Sequence, residues 1–328
     1  MLGMGVRAVV LAGGVGGGRF LLGARAVFGA ASQDPPVTVI GNVGDDISLF
    51  GLRISPDLDT VMYTLGGGIS RERGWGREAE TFAARDELTG YGDERVWFGL
   101  GDRDLATHLL RSEWLRDGLP LSAVTARLCE RWRPGVRLIP ATDDRVETRV
   151  QLVNGRDLHF QEWWIRERAA PPAGGFRFAG ADRARPAPGV LEAIATARIV
   201  LLAPSNPIVS IGAILAVPGI REALQATAAP VVGLSPIIAG APVRGMADAC
   251  LAAVGVATSA EAVGLRYGSR RAGGLLDGWL VDEADAEAVD PLAAAGIETR
   301  AVPLLMRDLA ATTAMVQSAL GLATAVRR

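Results

Sequence analysis

The chain has 328 residues, 49% of them hydrophobic, and a formal net charge of −2. That length suits one large α/β domain, or one domain with a smaller companion, and the charge gives no basis for bulk attraction to nucleic acid or an anionic membrane. Two cysteines, Cys129 and Cys250, are too few for a disulfide framework or a thiolate metal site.

The first element is an apolar run from Val6 to Leu11, and the segment from Met1 to Leu11 lacks a signal peptide's layout. A turn follows with five glycines in six residues, Gly13-Gly14-Val15-Gly16-Gly17-Gly18, and then an apolar-periodic stretch through Phe20, Leu21, Leu22, Ala24, Val27 and Phe28. This is the order strand, tight turn, helix. Such a turn brings a diphosphate against backbone N–H groups at a helix N-terminus, where the dipole favours negative charge. The alternative is a turn that needs glycine for packing alone. The strict dinucleotide fingerprint is broken, because Arg19 stands where its third glycine belongs. A Walker A loop and a lysine Schiff base are excluded, since all 34 basic residues are arginine.

The second apolar run, Val37 to Ile40, leads into Asn42-Val43-Gly44-Asp45-Asp46 and then Pro56-Asp57-Leu58-Asp59-Thr60. Carboxylates at the C-terminal end of a strand lie where open α/β sheets bind ligands. Asp45, Asp46, Asp57 and Asp59 therefore include candidate magnesium ligands, one or two of which would suffice beside phosphate oxygens and water. Capping is the competing role: Asp57 or Asp59 for a helix from Thr60 to Leu65, and Asp45 for its own turn. Asp45 and Asp46 are also candidates to accept a hydroxyl proton.

Further strands are expected at Val96 to Phe98, Ile199 to Ala203, Val231 to Leu234, Leu276 to Val281 and Thr299 to Val302. Amphipathic stretches lie at Leu105 to Leu115, Val190 to Ala197, Ile220 to Ala226, Ala247 to Val254 and Leu309 to Leu320. The alternation predicts an α/β fold: a Rossmann-like, mostly parallel sheet with helices on both faces. A smaller inserted helical/β subdomain is expected at 66–185, between the two parts of a nucleotide-binding domain at 1–65 and 186–328. Within it, Glu147 to Val153 alternates like a half-exposed strand, and Pro171 to Gly175 reads as a loop. No apolar run is expected to reach the roughly 18 residues of a spanning helix, so no membrane association and a cytoplasmic location are expected.

Several polar segments fall at the ends of these strands. Ser205-Asn206-Pro207 either reaches a ligand's phosphate, ribose or base edge, or caps the next helix. In Gly99-Leu100-Gly101-Asp102-Arg103-Asp104, Asp102 or Asp104 suits an N-cap and Arg103 a ligand contact. Trp75, in a glycine-flexed loop, either stacks on a flat heterocycle or anchors the loop. Ser235 to Met246 can close over a base, with Arg244 supplying hydrogen bonds. Trp163 and Trp164 read as a packed or oligomeric surface. His108 and His159 have no metal-ligand spacing and read as structural.

Taken in order, AGGVGGGRF, GNVGDD, LRISPDLDT, GWGRE, FGLGDRDLATH, LLAPSNPIVSIGAIL and SPIIAGAPVRG resemble the 2-phospho-L-lactate transferase family of coenzyme F-420 biosynthesis, over about residues 6 to 325. The arginine-rich composition points to the actinobacterial version, whose donor carries phosphoenolpyruvate. The resemblance implies transfer of a three-carbon acid phosphate from guanosine diphosphate to a ribityl hydroxyl of the deazaflavin Fo, with GMP leaving. It implies that Gly13, Gly14, Gly16, Gly17 and Gly18 face the donor phosphates and that Ser205, Asn206 and Pro207 line the guanosine site. Asp45 and Asp59 would hold magnesium, and Trp75 with its neighbours would border the Fo site. A homodimer is implied by the resemblance alone. A second reading is a non-catalytic regulator of the same fold that binds a nucleotide sugar.

Overall fold

The computed structural model describes residues 7–31 and 33–326; Val6, included above in the first strand, lies outside them. Seven strands form one sheet: β1 (Ala8–Ala12), β2 (Val37–Gly41), β3 (Arg137–Pro140), β4 (Ile199–Leu202), β5 (Val231–Leu234), β6 (Gly278–Val281) and β7 (Glu298–Ala301). Their spatial order is β3-β2-β1-β4-β5-β6-β7, and every neighbouring pair is parallel. Successive side chains alternate between faces. Val9, Leu11, Val200 and Leu202 enter one core, while Ala8, Val10, Ile199 and Leu201 enter the other. Both faces are covered, so these strands consist of continuous rather than alternating apolar residues.

Chain order reverses between β1 and β4, because the chain winds outward from β1 through β2 to β3 and then returns to the other side. Loops leaving these two strands diverge, and the crevice between them is the usual ligand position in such sheets. Five helices matter for that crevice: α1 (Gly14–Phe28), α2 (Pro56–Leu65), α3 (Asp102–Arg116), α4 (Leu121–Trp132) and α5 (Leu309–Val326). Helices α1, α2, α4 and α5 cover one face, contributing Phe20, Leu21, Leu58, Val61, Val124, Leu128, Met315 and Val316 to its core.

Helix α5 corrects one expectation. Its 18 residues have a mean hydropathy of 1.4, enough on length and composition to cross a membrane. In the fold, its Thr312, Met315, Val316, Ala319, Leu322 and Ala323 are buried, with the apolar ones among them packed against the sheet core. Two further expectations change. Val96 to Phe98 is not a strand; a 3-10 turn, Glu94–Trp97, forms there, started by the Asp93 carboxylate, which accepts from the Arg95 amide. The stretch read as a loop at Pro171 to Gly175 runs into a strand, Ala173–Ala179. That strand pairs antiparallel with Glu147–Leu152, which also pairs with Asp157–His159.

Close approach of α1 and α5 depends on Gly23, where a Cβ would lie 2.6 Å from the Thr312 carbonyl oxygen. Gly23→Val forces these helices apart and should cost about 1–3 kcal/mol, as overpacking does. Urea denaturation should register the loss as a lower midpoint; an unchanged midpoint would show that the contact is not tight.

Candidate active site

A cavity of about 680 Å³ opens at the C-terminal ends of β1, β2, β4 and β5. Its floor is the glycine turn. Gly13 ends β1 in an extended conformation, Gly14 turns with φ +63°, and α1 begins. A Cβ on Gly16 would stand 2.7 Å from the Pro204 carbonyl oxygen, so backbone must approach backbone there. Ser205 ties the two halves of the crevice together: its hydroxyl donates to the Gly13 carbonyl (2.8 Å) and accepts from the Gly13 amide (3.1 Å).

Gly13, Gly14, Gly16, Ser205 and Asn206 line the cavity; Gly17, Gly18 and Pro207 do not. Gly17 packs on Ser205 and Ala12, Gly18 faces Thr64, and Pro207 borders a separate groove with Phe176 and Phe178. The Asn206 carboxamide oxygen accepts from the Ile208 and Val209 amides and so folds its own loop.

Four carboxylates cluster beside this floor, and all are buried. Two have guanidinium partners. Arg53 donates to Asp46 Oδ2 at 3.1 Å through Nε, and Ser55 Oγ donates to the same oxygen at 2.7 Å. Asp46 does not line the cavity. Arg111, itself 1% exposed, grips Asp59 through both terminal nitrogens, with Nη1 3.0 Å from Oδ2. Asp59 lines the cavity, but its charge is already matched.

The other two, Asp45 and Asp57, line the cavity, and neither has a salt-bridge partner among the described residues. Asn42 Nδ2 donates to Asp57 Oδ2 at 2.9 Å, while Asp45 Oδ1 is buried with no hydrogen-bond partner. Burial, and next the negative charge of Asp57, push the Asp45 carboxyl well above its usual 3.8. Burial likewise raises Asp57 to about 6; the Asn42 amide opposes the rise and the Asp46 charge adds to it. An ion pair opposes such a rise, as Arg53 does for Asp46, although burial still leaves the Asp46 carboxyl above its usual value. Two buried carboxylates without a cation are a donor set for a hard divalent ion. Among the described residues no group of three or more His, Cys, Asp and Glu is placed to hold a metal. The two aspartates therefore suit magnesium completed by phosphate oxygens and water.

Part of the cavity wall is aromatic. Trp75, Trp97, Phe98, Phe160 and Trp164 line it, with Trp75 45% exposed and the Arg73 guanidinium 5.5 Å from its ring. Trp163 is buried in the core, so the adjacent tryptophans divide between packing and cavity. Arg103 does not line the cavity: its amide donates to Glu80 and its carbonyl accepts from Arg77. Asp102 caps the helix Ala83–Gly90 rather than its own, accepting from the Thr81 hydroxyl and the Ala83 and Ala84 amides. Those bonds, Thr81's foremost, lower its carboxyl below the usual value. The segment from Ser235 to Met246 forms another wall, and Arg244 donates to the Arg73 carbonyl across the mouth.

Tyr63, Asp104 and His108 also line the cavity. His108 was expected to be structural; it lies at the cavity wall because α3 turns Asp104 and His108, four residues apart, to one face. That spacing was the available signal. His159 is structural: Nε2 lies 3.1 Å from the Asp46 carbonyl and Nδ1 accepts from the Gln161 amide.

The sheet order and the position of the cavity define a Rossmann-like α/β protein with a cavity at the switch point, where such sheets usually bind ligands. Residues 8–309 match the family model described as 2-phospho-L-lactate transferase CofD, and the chain belongs to that family. It is a transferase of coenzyme F-420 biosynthesis. Over 325 residues it is 61% identical to the phosphoenolpyruvate transferase of Streptomyces coelicolor, covering 98% of this chain and 99% of that protein. The protein of the same name from Thermobifida fusca is 59% identical, covering 97% and 98%. That of Mycobacterium sp. strain JLS is 56% identical, covering 97% and 99%. A solved structure of a upf0052-family protein from Bacillus halodurans superposes with a TM-score of 0.64 at 16% identity, over 97% of this chain and 100% of that one. At that identity the likeness is one of fold.

Arg111→Met leaves the Asp59 charge buried and unpaired and should cost about 3–5 kcal/mol. Adding Asp59→Asn should restore most of it in chemical denaturation; no recovery would mean that the ion pair is not the source. Asp57 gives a pH signature. Its folded value of about 6 exceeds the usual 3.8, so the folded state binds this proton more tightly than the unfolded chain. The contribution of Asp57 to stability therefore rises as pH falls from about 7 toward 4. Melting curves without metal should show this rise, and Asp57→Asn should flatten it; an equally steep variant would assign the effect elsewhere.

Proposed function

We propose that the chain transfers a phosphoenolpyruvyl group from a guanosine diphosphate-linked donor to the terminal ribityl hydroxyl of the deazaflavin Fo. The observation that carries this reading is one cavity lined by the glycine turn, by two carboxylates without ion-pair partners, and by an aromatic wall. A diphosphate suits the glycine turn and a flat heterocycle the aromatic wall. Relatives 55–61% identical over nearly the whole chain are named phosphoenolpyruvate transferase, which supports this three-carbon acid over 2-phospholactate. The donor nucleoside and the deazaflavin are our reading of the sequence resemblance.

In this reading the acceptor hydroxyl attacks the phosphorus that bears the three-carbon acid. The bond from that phosphorus to the oxygen of the nucleoside phosphate breaks, and GMP leaves. Phosphoryl transfer of this kind needs positioning and charge neutralisation more than covalent help. Backbone N–H groups at the start of α1 hold the diphosphate, and Ser205 keeps Gly13 in place beneath it. Asp45 and Asp57 would hold magnesium, which when bound offsets the negative charge that builds on the leaving phosphate. Asp59 is engaged by Arg111 and shapes the wall. Trp75, Trp97 and Phe98 stack on the acceptor ring and help exclude water.

The test is turnover with purified protein, magnesium and Fo. Guanosine diphosphate linked to phosphoenolpyruvate, 2-phospholactate or 3-phosphoglycerate is supplied separately, and GMP and product mass are followed. The phosphoenolpyruvyl donor should give product, GMP should appear only when Fo is present, and chelation should abolish both. Absence of product from every donor, with GDP still bound, would favour the regulator.

A further inference from the structure

Below the aromatic wall lies a polar ladder that the reading above leaves without a role. Arg111 grips Asp59 on one side, and on the other its Nη1 lies 3.2 Å from His108 Nδ1. A guanidinium only donates, so Nδ1 accepts and His108 carries its proton on Nε2. That Nε2 is buried and has no aligned hydrogen-bond partner, though Asp104 Oδ2 stands 3.4 Å away. Asp104 Oδ1 in turn accepts from the Tyr63 hydroxyl at 2.6 Å. The Glu80 carboxylate accepts from the Arg103 and Asp104 amides and braces the start of α3. Of the ladder's members, Asp104 has the most exposed side chain at 14%, and it lines the cavity together with Tyr63 and His108.

This arrangement leaves Asp104 with acceptor capacity directed into the cavity. One lone pair on Oδ1 is taken by Tyr63, and His108 lies beside Oδ2, but a carboxylate has about four lone-pair sites. Burial raises the carboxyl, but the neighbouring His108 foremost, then the Tyr63 hydrogen bond and the Arg111 charge, outweigh it and keep the carboxyl below its usual value. An ionised carboxylate with spare lone pairs suits a neutral, hydroxyl-rich ligand rather than a phosphate. Its location fits as well. Tyr63 is six residues along α2 from Asp57, about 9 Å at the usual helical rise. A polyol chain joining a stacked ring to a hydroxyl at the diphosphate would cross this stretch of wall.

Resting on the transferase reading, we propose that Asp104 binds the chain hydroxyls of the polyhydroxylated acceptor, with His108 as the positioning residue that aims its carboxylate. The ligand class is a neutral aromatic polyol; the ladder plays no part in holding the nucleotide.

The experiment compares the parent with Asp104→Asn, His108→Leu, His108→Gln and the double variant Asp104→Asn with His108→Leu, using Fo and an Fo analogue whose side chain keeps only its terminal hydroxyl. In the parent, losing the inner hydroxyls should raise acceptor KM by about tenfold or more, the usual penalty for a lost hydrogen bond to a charged group. Asp104→Asn should raise KM for Fo similarly and make the enzyme indifferent to the analogue, with GDP affinity unchanged. His108→Leu should move KM the same way, His108→Gln should restore part of it, and the double variant should be no worse than Asp104→Asn. The parent measurement with the analogue does not depend on any variant folding. Equal KM for Fo and the analogue in the parent, or strictly additive variants, overturns the assignment while turnover with Fo stands. No turnover by the parent overturns the transferase reading and this one together.

Discussion

Burying four carboxylates at one sheet edge is the constraint around which this structure is arranged. Each such charge is costly unless it is paired or hydrogen-bonded. The fold treats them in two ways. Asp46 and Asp59 receive Arg53 and Arg111; the first pair fastens the hairpin formed by Ile47–Leu49 and Leu52–Ile54 to the loop after β2, and the second fastens α3 to α2. Asp45 and Asp57 receive an amide, a helix N-terminus and each other. The chain uses arginine alone for its basic residues. Arginine suits the matched pairs, because a guanidinium stays charged when buried and meets both carboxylate oxygens at once, whereas a buried lysine readily loses its proton. The unmatched pair is where the fold remains under electrostatic tension, and it lies on the cavity floor.

That floor also depends on the reversal of strand order between β1 and β4. Loops diverge there, and something must hold them in register. Ser205 does so with a single hydroxyl that both donates to and accepts from Gly13. The bridge spans 192 residues of sequence. It explains why the second half of the chain returns to the same edge with a small polar side chain. A bulkier residue at position 205 would push against Gly17, which already stands close to that hydroxyl.

Strands with strong apolar runs were legible because burial on both faces removes alternation: β1, β2, β4 and β5 lie where the sequence pattern puts them. Strand β3 was not, because Arg137–Pro140 is short, begins with a charge and ends with a proline that cannot donate to a ladder. The glycine turn and the acidic segments were legible as chemistry, but not the division of labour among the aspartates. Asp57 and Asp59 are two residues apart on α2, about 200° around the helix. Which one faces the cradle depends on the helix start, and which one is neutralised depends on Arg111, 52 residues away. The Trp163-Trp164 pair was ambiguous for a similar reason. A π-helical turn at Glu162–Arg166 sends one ring into the core and leaves the other at the cavity, and composition does not encode that turn.

Two parts of the cavity wall use the same residue type differently. Beside the glycine turn, Asp45 and Asp57 have no ion-pair partner among the described residues, and Arg19 of α1 is a cation that lines the same cavity. Asp104 sits beside the His108 imidazole and the Tyr63 phenol and near the Arg111 cation, so its charge is tolerated without an added ion. Such a carboxylate would repel a phosphate and accept hydroxyl hydrogens.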